Sequence, residues 1–386
     1  MQIFTNGNFL IKDKFIVGDL AVEKNKIVNF VSNNTAKDIS AGKTNNKYPK
    51  NAEIIDLSGR KVVAGLWDIH THGAVGYDFN NLTTITQLEK VLNYYYSCGV
   101  TSVFPTIMTD SDSNIKRSLD FLARVSSNYP IIKGIHLEGP FLSPKYCGAQ
   151  NKDYLQIPNV AKFKEFQQSA CGLIKYITLS PELDGSRELT QYLANCGVTI
   201  SLGHSGATYR QTQDCIDLGA KCFTHTFNAM PNIDHHQPNI TLSAVLGDNF
   251  CEFIPDGKHL EKEIIQLLFK IKKDKLIAIT DSIMATNMPN GTYSLAGNSV
   301  TVDYGQVFLT NTTTRAGSTL NAYLALTNII RFTNLPLEEV IACQTENPAK
   351  LFNLFEKYAT LEVGKVADFF VIGDNLQTYI NGKKVN

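Results

Sequence analysis

The sequence predicts an α/β fold: a parallel (β/α)8 barrel of the TIM type with a small discontinuous β-sandwich that both ends of the chain form together. Three observations support this prediction. Eight apolar, strand-like segments follow one another between residues 61 and 282, and short strand-like segments occur at both termini. Most of the eight precede an amphipathic stretch, as repeated βα units do. We expect residues 61–358 to form the barrel, and residues 1–60 with 359–386 to form the sandwich.

The terminal segments have the pattern of short strands joined by tight turns. Residues 15–31 (FIVGDLAVEKNKIVNFV) offer a turn at 24–26 between two extended runs, and residues 378–385 (TYINGKKV) contain an Asn-Gly turn signal at 381–382. The polar stretch 32–53 predicts a loop. The two ends of the chain are therefore expected to form one β unit.

The barrel strands are predicted from eight apolar runs. Helical patterns follow them, for example at 83–99 and 112–127. Chemistry in such barrels lies at the C-terminal ends of the strands, so the last residues of each run are the candidates for function. The runs are KVVAGLWDIH (61–70), VTSVFPTIM (100–108), IIKGIHLEG (131–139), LIKYITLSPE (173–182), GVTISLGHS (197–205), AKCFTHTFN (220–228), NFCEFIPDG (249–257) and KLIAITDS (275–282).

Composition restricts the classes of function. The chain has 386 residues, 43% of them hydrophobic, with 36 basic and 36 acidic side chains. This composition suits a globule with a large core, and a net charge of zero provides no general field for nucleic acid or an anionic membrane. We find no apolar run long enough for a membrane span and no leader pattern. Eight scattered cysteines without a CxxC pair suggest reduced thiols, so we expect a cytoplasmic protein.

Metal-capable side chains recur at the ends of the predicted strands. His70 and His72 are two residues apart on a strand, so they point to the same side. Imidazole with carboxylate suits Zn, Fe, Mn or Co better than Mg or Ca. The six candidate ligands are His70, His72, Glu138, His204, His225 and Asp281.

The competing interpretation of each histidine is an ordinary core or surface residue. For any one histidine alone that interpretation is favoured. The coincidence of four histidines, one Glu and one Asp at predicted strand ends favours a metal site instead. His136, two residues before Glu138, is expected to support the ligands rather than bind metal.

Several motifs resemble a known family. The strings VVAGLWDIHTHG, HLEGPF, GHSGAT, THTFNAMP, PDGKH and TDSIMAT, in this order, are similar to those of the N-acetylglucosamine-6-phosphate deacetylases of the amidohydrolase superfamily. The resemblance runs from about residue 60 to the TENPAKLF and GKVADF segments. HxH alone is a weak signal, but HLEGP together with THTFNAMP is specific to these deacetylases.

The resemblance implies a role for each candidate ligand. His70 and His72 would hold one divalent ion, His204 and His225 a second, and Glu138 would bridge them. Asp281 matches the catalytic aspartate of the family and would also touch the first ion. It would take a proton from water and pass it to the departing amine.

The sequence has no Walker-type phosphate loop, so main-chain N–H groups and individual side chains must bind the phosphate. The resemblance implies which residues contact the substrate. An arginine usually follows THTFNAMP in relatives, and His236 occupies that position here, while Arg315 offers an alternative phosphate partner. The implied substrate-binding residues are Ala149, Gln150, Asn228, Ala229, His236, Asp256, Gly257, His259, Ala316 and Gly317.

The resemblance predicts that the chain removes the acetyl group from N-acetylglucosamine 6-phosphate, with one or two metal ions per subunit of a homodimer. The sequence leaves open the galactosamine epimer as substrate, because epimers differ by a single hydroxyl contact. A deaminase of the same superfamily fits the motifs less well. A catalytically silent barrel that acts as a scaffold is the alternative from another class. The intact set of six ligands argues against it.

Overall fold

The computed structural model describes residues 1–32 and 48–386, and its centre is an eight-stranded parallel sheet. The strands neighbour one another in chain order, from β1 to β8. Each predicted apolar run overlaps one of them, which confirms the predicted barrel. The strands are β1 (Leu66–Thr71), β2 (Val100–Met108), β3 (Ile135–Glu138), β4 (Ile174–Leu179), β5 (Thr199–Leu202), β6 (Cys222–Phe223), β7 (Phe250–Phe253) and β8 (Leu276–Ala278).

Main-chain hydrogen bonds close the barrel just beyond the ends of β8 and β1. The N–H of Asp281 donates to the carbonyl oxygen of His70 at 2.9 Å, and the N–H of His72 donates to that of Ser282 at 2.7 Å. The Asp68 carboxylate adds a side-chain link, because it accepts the main-chain N–H and the hydroxyl of Thr280. The first and last strands are thus fastened together beside three candidate ligands.

The described residues form ten α-helices that accompany the strands. Thr84 and Thr208 each begin a helix with a capping box, in which a glutamine three residues later reaches back to the cap N–H. The helices are α1 (Ile85–Ser97), α2 (Asp112–Ser126), α3 (Val160–Ser169), α4 (Ser186–Asn195), α5 (Tyr209–Asp217), α6 (Ile240–Leu246), α7 (Lys262–Lys272), α8 (Ala322–Thr333), α9 (Leu337–Val340) and α10 (Glu346–Leu351).

The core has an inner and an outer layer. Trp67, Phe104 and Tyr176 are fully buried in one apolar cluster with Ile277 of β8. A larger cluster joins the other strand residues to the apolar faces of the helices. Burial of each large apolar side chain contributes about 1.5–3 kcal/mol, so the two layers hold the strand ends rigidly in place.

Both ends of the chain form a second sheet, as expected. The turn at Lys24 and Asn25 joins two antiparallel strands, and the turn at Asn381 and Gly382 joins two others; all four residues have positive φ. The strands of this sheet are Gln2–Ile11, Lys14–Glu23, Lys26–Ser32, Glu53–Asp56, Lys61–Ala64, Phe369–Ile372, Gln377–Ile380 and Lys383–Lys384.

Residues 61–64 are a correction to the first predicted barrel strand. Lys61–Ala64 pairs with Phe369–Ile372 and with the N-terminal strand, so it belongs to the terminal sheet. The apolar run is divided at Gly65, where a Cβ would lie 2.1 Å from Thr101 Oγ1. The barrel strand therefore begins at Leu66. The proposed domain limits at 60/61 and 358/359 stay a prediction.

A three-stranded antiparallel sheet between β8 and α8 was not predicted. It consists of Gly291–Leu295, Asn298–Asp303 and Gln306–Leu309. Its apolar side chains pack against the segment after β8, and Asn298 Nδ2 donates to the carbonyl oxygen of Ala149 at 3.0 Å. This sheet therefore stands beside the mouth of the barrel.

Three smaller expectations have clear outcomes. The loop expected at 32–53 lies largely outside the described residues, because 33–47 are not among them. All eight cysteines are free, and six of them are buried. Within the described ranges, no helix combines the length and apolar character that crossing a membrane requires.

Candidate metal centre

The six predicted ligands meet at one end of the barrel. His70 lies in β1 and Glu138 ends β3, while His72, His204, His225 and Asp281 lie one to three residues beyond their strands. All six are buried, with Asp281 the most accessible at 8%. Because the carboxyl ends of parallel strands share one edge, residues far apart in sequence converge here.

The ligands form two groups. The first consists of His70, His72 and Asp281, and the second of Glu138, His204 and His225; within each group the candidate ligand atoms lie within 4.8 Å of one another. The two groups adjoin through Glu138.

Glu138 contacts members of both groups. Its Oε1 lies 3.1 Å from His204 Nε2 and 3.2 Å from His70 Nε2. Its Oε2 lies 3.4 Å from His72 Nε2. One carboxylate therefore stands between the groups, in the position that a bridging ligand requires.

The histidine contacts fit a bound cation. A main-chain carbonyl can only accept, so His204 Nδ1, which lies 2.9 Å from the carbonyl oxygen of Tyr146, is the protonated nitrogen. In the neutral ring the lone pair of His204 Nε2 then faces both Glu138 and His225 Nε2, the latter at 3.0 Å. Two imidazole nitrogens and a carboxylate oxygen that point at one another are a donor set that suits a divalent transition-metal ion.

Charge in the cluster leads to the same conclusion. Burial disfavours an ionised Glu138, but the neighbouring histidines overcome that cost and hold the pKa of Glu138 well below its ordinary value. Burial likewise opposes a charge on His70, yet Glu138 and Glu252 raise the pKa of His70 well above its ordinary value. Burial opposes the charge of Asp281, but the hydrogen bond from His72 and nearby histidine charges lower the pKa of that carboxyl. The carboxylates of this pocket thus favour cationic partners.

Three candidate ligands have an uncommon backbone conformation. His204, His225 and Asp281 have φ values of 49°, 27° and 49°. Positive φ in a residue other than glycine costs on the order of 1–3 kcal/mol and is concentrated at functional sites. Packing in the barrel compensates for that cost and turns these side chains toward the common centre.

Two buried side chains support the ligands from behind. Glu252 in β7 accepts a hydrogen bond from His70 Nδ1 at 3.0 Å. The His136 ring packs edge-on against His70 with centroids 4.6 Å apart, and its nitrogens contact the hydroxyls of Thr106 and Thr178. The supporting position expected for His136 agrees with these contacts. Glu252 was not predicted.

A cavity of about 390 Å³ opens above the cluster. Five of the six candidate ligands line it, and His70 lies beneath. Predicted substrate residues that also line the cavity are Ala149, Gln150, Asn228, Ala229, His259 and Gly317. Gln150 Nε2 donates to Glu138 Oε2 at 2.6 Å, so this side chain lies directly beside the ligands.

Four predicted substrate residues do not line that cavity. Asp256 lies behind His259 and accepts a hydrogen bond from its Nδ1 at 2.7 Å, Gly257 follows Asp256, and Ala316 is fully buried beside Gly317. His236 is exposed in the loop 231–239, which lines a neighbouring cavity. Their roles in substrate binding stay predictions.

Known proteins resemble this chain in sequence over most of its length. The model of the Amidohydrolase family matches residues 62–385, which is most of the chain. The chain belongs to the amidohydrolase family. It is 34% identical to the N-acetylglucosamine-6-phosphate deacetylase of Bacillus subtilis (strain 168), an alignment that covers 97% of this chain and 95% of that protein. The human protein of the same name is 31% identical over 86% of this chain and 84% of its own.

Solved structures agree with this assignment. The N-acetylglucosamine-6-phosphate deacetylase from Pasteurella multocida superposes on this amidohydrolase with a TM-score of 0.90, covering 100% of this chain and 99% of the other at 27% identity. The corresponding enzyme from Mycobacterium smegmatis gives a TM-score of 0.88, with 100% of both chains covered at 27% identity.

Some residues that line the cavity of this amidohydrolase were not predicted. Lys145 and Tyr146 line the cavity from the segment after β3, and Arg315, considered only as an alternative, lines it from the segment after the three-stranded sheet. In the described part of the chain neither Lys145 nor Arg315 pairs with a carboxylate; each instead lies over an aromatic ring. The Lys-Tyr pair before CGAQ was the available signal for the first two.

Proposed function

We propose that this amidohydrolase removes the acetyl group from N-acetylglucosamine 6-phosphate, giving glucosamine 6-phosphate and acetate in amino sugar catabolism or cell-wall recycling. The observation that carries the proposal is the convergence of the six ligands at and beneath the floor of a cavity that the cationic side chains of Lys145 and Arg315 also line. The N-acetylglucosamine-6-phosphate deacetylase of Bacillus subtilis aligns over nearly the whole chain.

The proposed metal centre uses both groups of ligands. His70, His72 and Asp281 would hold one ion, His204 and His225 the other, and Glu138 would bridge them. A divalent ion, when bound, lowers the pKa of its water toward about 7 and polarises a carbonyl oxygen. The mixture of imidazole and carboxylate donors favours Zn, Fe, Mn or Co, in one or two positions.

Asp281 is the proposed proton carrier. Its lowered pKa keeps the carboxylate ionised at neutral pH, and its Oδ1 lies 3.1 Å from His72 Nε2, facing the point where the ligands converge. Water adds to the acetamide carbon while Asp281 accepts a water proton. Asp281 then donates that proton to the nitrogen as the C–N bond breaks, so that acetate and a free amine leave.

The two ends of the cavity suit the two ends of the substrate. The acetamide would enter the buried floor beside Gln150, and the phosphate would remain near the rim. Lys145 and Arg315 are cationic at that rim, and Arg315 can grip two phosphate oxygens at once. His259, whose Nδ1 donates a hydrogen bond to Asp256, lines the cavity and would contact the sugar between them.

Assembly and location complete the proposal. We propose a homodimer in the cytoplasm, since the resemblance implies a dimer and eight free cysteines suit a reducing compartment. Sedimentation velocity of the purified protein tests the dimer.

The decisive experiment measures acetate release and metal content on the same purified sample. N-Acetylglucosamine 6-phosphate is compared with its galactosamine epimer and with unphosphorylated N-acetylglucosamine. We expect the first to have the highest kcat/KM and the last to be much poorer. A protein that binds no stoichiometric transition metal and releases no acetate would be the silent scaffold instead, and a preference for the epimer would reassign the substrate.

A further inference from the structure

Glu252 lies behind the ligands, deep in the barrel, and contacts one residue of each group. Its Oε2 accepts the Nδ1 proton of His70 at 3.0 Å and also the main-chain N–H of His225 at 3.1 Å. Its Oε1 accepts the hydroxyl of Tyr176 at 2.7 Å. We propose that Glu252 is a positioning residue that couples the two halves of the metal centre, an inference that rests on the proposed metal site.

The coupling follows from the sharing of one oxygen atom. His70 belongs to one group of ligands and His225 to the other. The contact to His70 Nδ1 leaves Nε2 as the atom that faces the cluster, which is how a carboxylate behind a ligating histidine fixes its tautomer. The contact to the His225 N–H holds a residue whose φ is 27°. Any movement of Glu252 therefore disturbs one ligand in each group.

The charge of the Glu252 carboxylate also favours a bound cation. Glu252 is fully buried, and within the described ranges its only ion-pair partner is His70. A buried carboxylate is costly unless a positive charge compensates for it. With Glu138 and Asp281 it forms a set of three carboxylates around the histidines. A cation held at His70 would offset this charge, so the carboxylate of Glu252 favours loading of the centre.

The competing explanation is that Glu252 only braces the barrel. In that case its replacement lowers stability but leaves the metal affinity of the folded protein unchanged. Glu252→Gln separates the two explanations. The amide keeps one acceptor oxygen for His70 and His225 and can turn its NH2 toward the Tyr176 hydroxyl, so the geometry survives while the charge is lost. Tyr176→Phe tests orientation, because it keeps the charge and removes one hydrogen bond.

The experiment is a Zn²⁺ titration of metal-free protein in competition with a chelator, followed by the visible spectrum of the Co²⁺-loaded protein. For Glu252→Gln we expect affinity to fall about 10- to 100-fold in both binding steps, with a smaller loss in Tyr176→Phe. Cys251→Ser is the matched control. Cys251 is the buried neighbour on the same strand, in the outer apolar layer, so its replacement disturbs packing without touching a ligand.

Each outcome has a separate meaning. Wild-type affinity in both Glu252→Gln and Tyr176→Phe, or an equal loss in Cys251→Ser, overturns the positioning role. A loss in one binding step only, or a wild type that binds a single ion, overturns the coupling. A wild type that binds no Zn²⁺ or Co²⁺ refutes the proposed metal centre itself, which distinguishes failure of that proposal from failure of the inference.

Discussion

The main-chain N–H of Asp281 donates to the carbonyl oxygen of His70 at 2.9 Å, and the side chains of the same two residues approach to 3.5 Å. The hydrogen bond that closes the barrel thus also determines the separation of two candidate ligands. Asp281 adopts a φ of 49° at this junction. The proposed proton carrier is therefore held by the main chain, at the point where the barrel closes.

Replacement of Asp281 by Asn tests this assignment. The amide keeps the shape of the side chain but cannot accept a proton, so we expect kcat to fall by at least about 10²-fold while KM changes little. Acetate release under saturating substrate gives the measurement. Asp248→Asn is the control, since that side chain is 92% exposed and its carboxylate pairs with Lys275 rather than with a candidate ligand. Near-wild-type turnover of Asp281→Asn would refute the mechanism.

Truncation of the second group of ligands tests the metal assignment. We expect His204→Ala, His225→Ala and Glu138→Gln to lose bound metal and activity together, because these residues are proposed to share one ion. Metal analysis after gel filtration and acetate release are measured on the same samples. His235→Ala, in the exposed loop, is the control. Full metal retention in a destabilised His225→Ala would instead support an ordinary core histidine.

The positions of the six ligands could be predicted because each ends an apolar strand pattern, and parallel strands bring their ends together. Lys61–Ala64 was assigned to the wrong sheet because the apolar run continues across Gly65, and only pairing with Phe369–Ile372 reveals the break. The three-stranded sheet was missed although residues 299–303 alternate polar and apolar side chains, because its strands are only four to six residues long. Sequence reasoning followed the eight longer apolar runs and did not consider this short alternation.

The supporting residues illustrate the same limit. Glu252 stands in an apolar strand, and an acid at such a position is as consistent with a solvent-facing side chain as with a buried one. Its role depends on contacts with His70 and His225, which are distant in the chain. Arg315 likewise reaches the cavity only because the three-stranded sheet folds beside it. An acid in an otherwise apolar barrel strand is the available signal for Glu252, but the signal alone does not distinguish a buried side chain from an exposed one.

Substitution of the rim cations tests phosphate recognition. We expect Arg315→Ala and Lys145→Ala to raise KM for the 6-phosphate substrate about tenfold or more, since a charge-assisted hydrogen bond contributes about 1.5–3 kcal/mol. The same variants should leave cleavage of the unphosphorylated sugar unchanged. Arg124→Ala is the control, because Arg124 is 67% exposed and paired with Asp120 on a surface helix. Equal effects on both sugars would show that these residues do not hold the phosphate.

His236 is the competing candidate for binding the substrate phosphate. If His236 meets phosphate, His236→Ala should raise KM for the 6-phosphate substrate and His236→Arg should lower it, because arginine grips phosphate in a bidentate fork. Its exposed position outside the cavity favours a smaller effect than that of Arg315. The KM values of His236→Ala and Arg315→Ala, measured side by side on the phosphorylated and unphosphorylated sugars, decide between the two.

Asp78 supplies a prediction about stability and pH. Burial raises the pKa of Asp78 to about 6, although the main-chain N–H of Asn80 donates to its Oδ1 at 2.7 Å. Among the residues that the structure describes, none donates a hydrogen bond to the buried second oxygen, Oδ2. The folded protein therefore favours the protonated acid. Stability from this group is present at low pH and is lost as pH rises from about 4 through 6, by on the order of 3 kcal/mol.

Replacement of Asp78 by Asn removes this dependence. The amide oxygen can still accept the Asn80 N–H, so the cap of the following turn survives, and any cost of the buried NH2 is the same at every pH. Relative to wild type, the variant should therefore gain stability between pH 4 and pH 7. Denaturant midpoints of both proteins at the two pH values give the measurement, and all groups common to both cancel in the difference. Asp248→Asn, which changes an exposed side chain, is the control and should show no such gain. If the stability difference between Asp78→Asn and wild type is the same at both pH values, the raised pKa of Asp78 is contradicted.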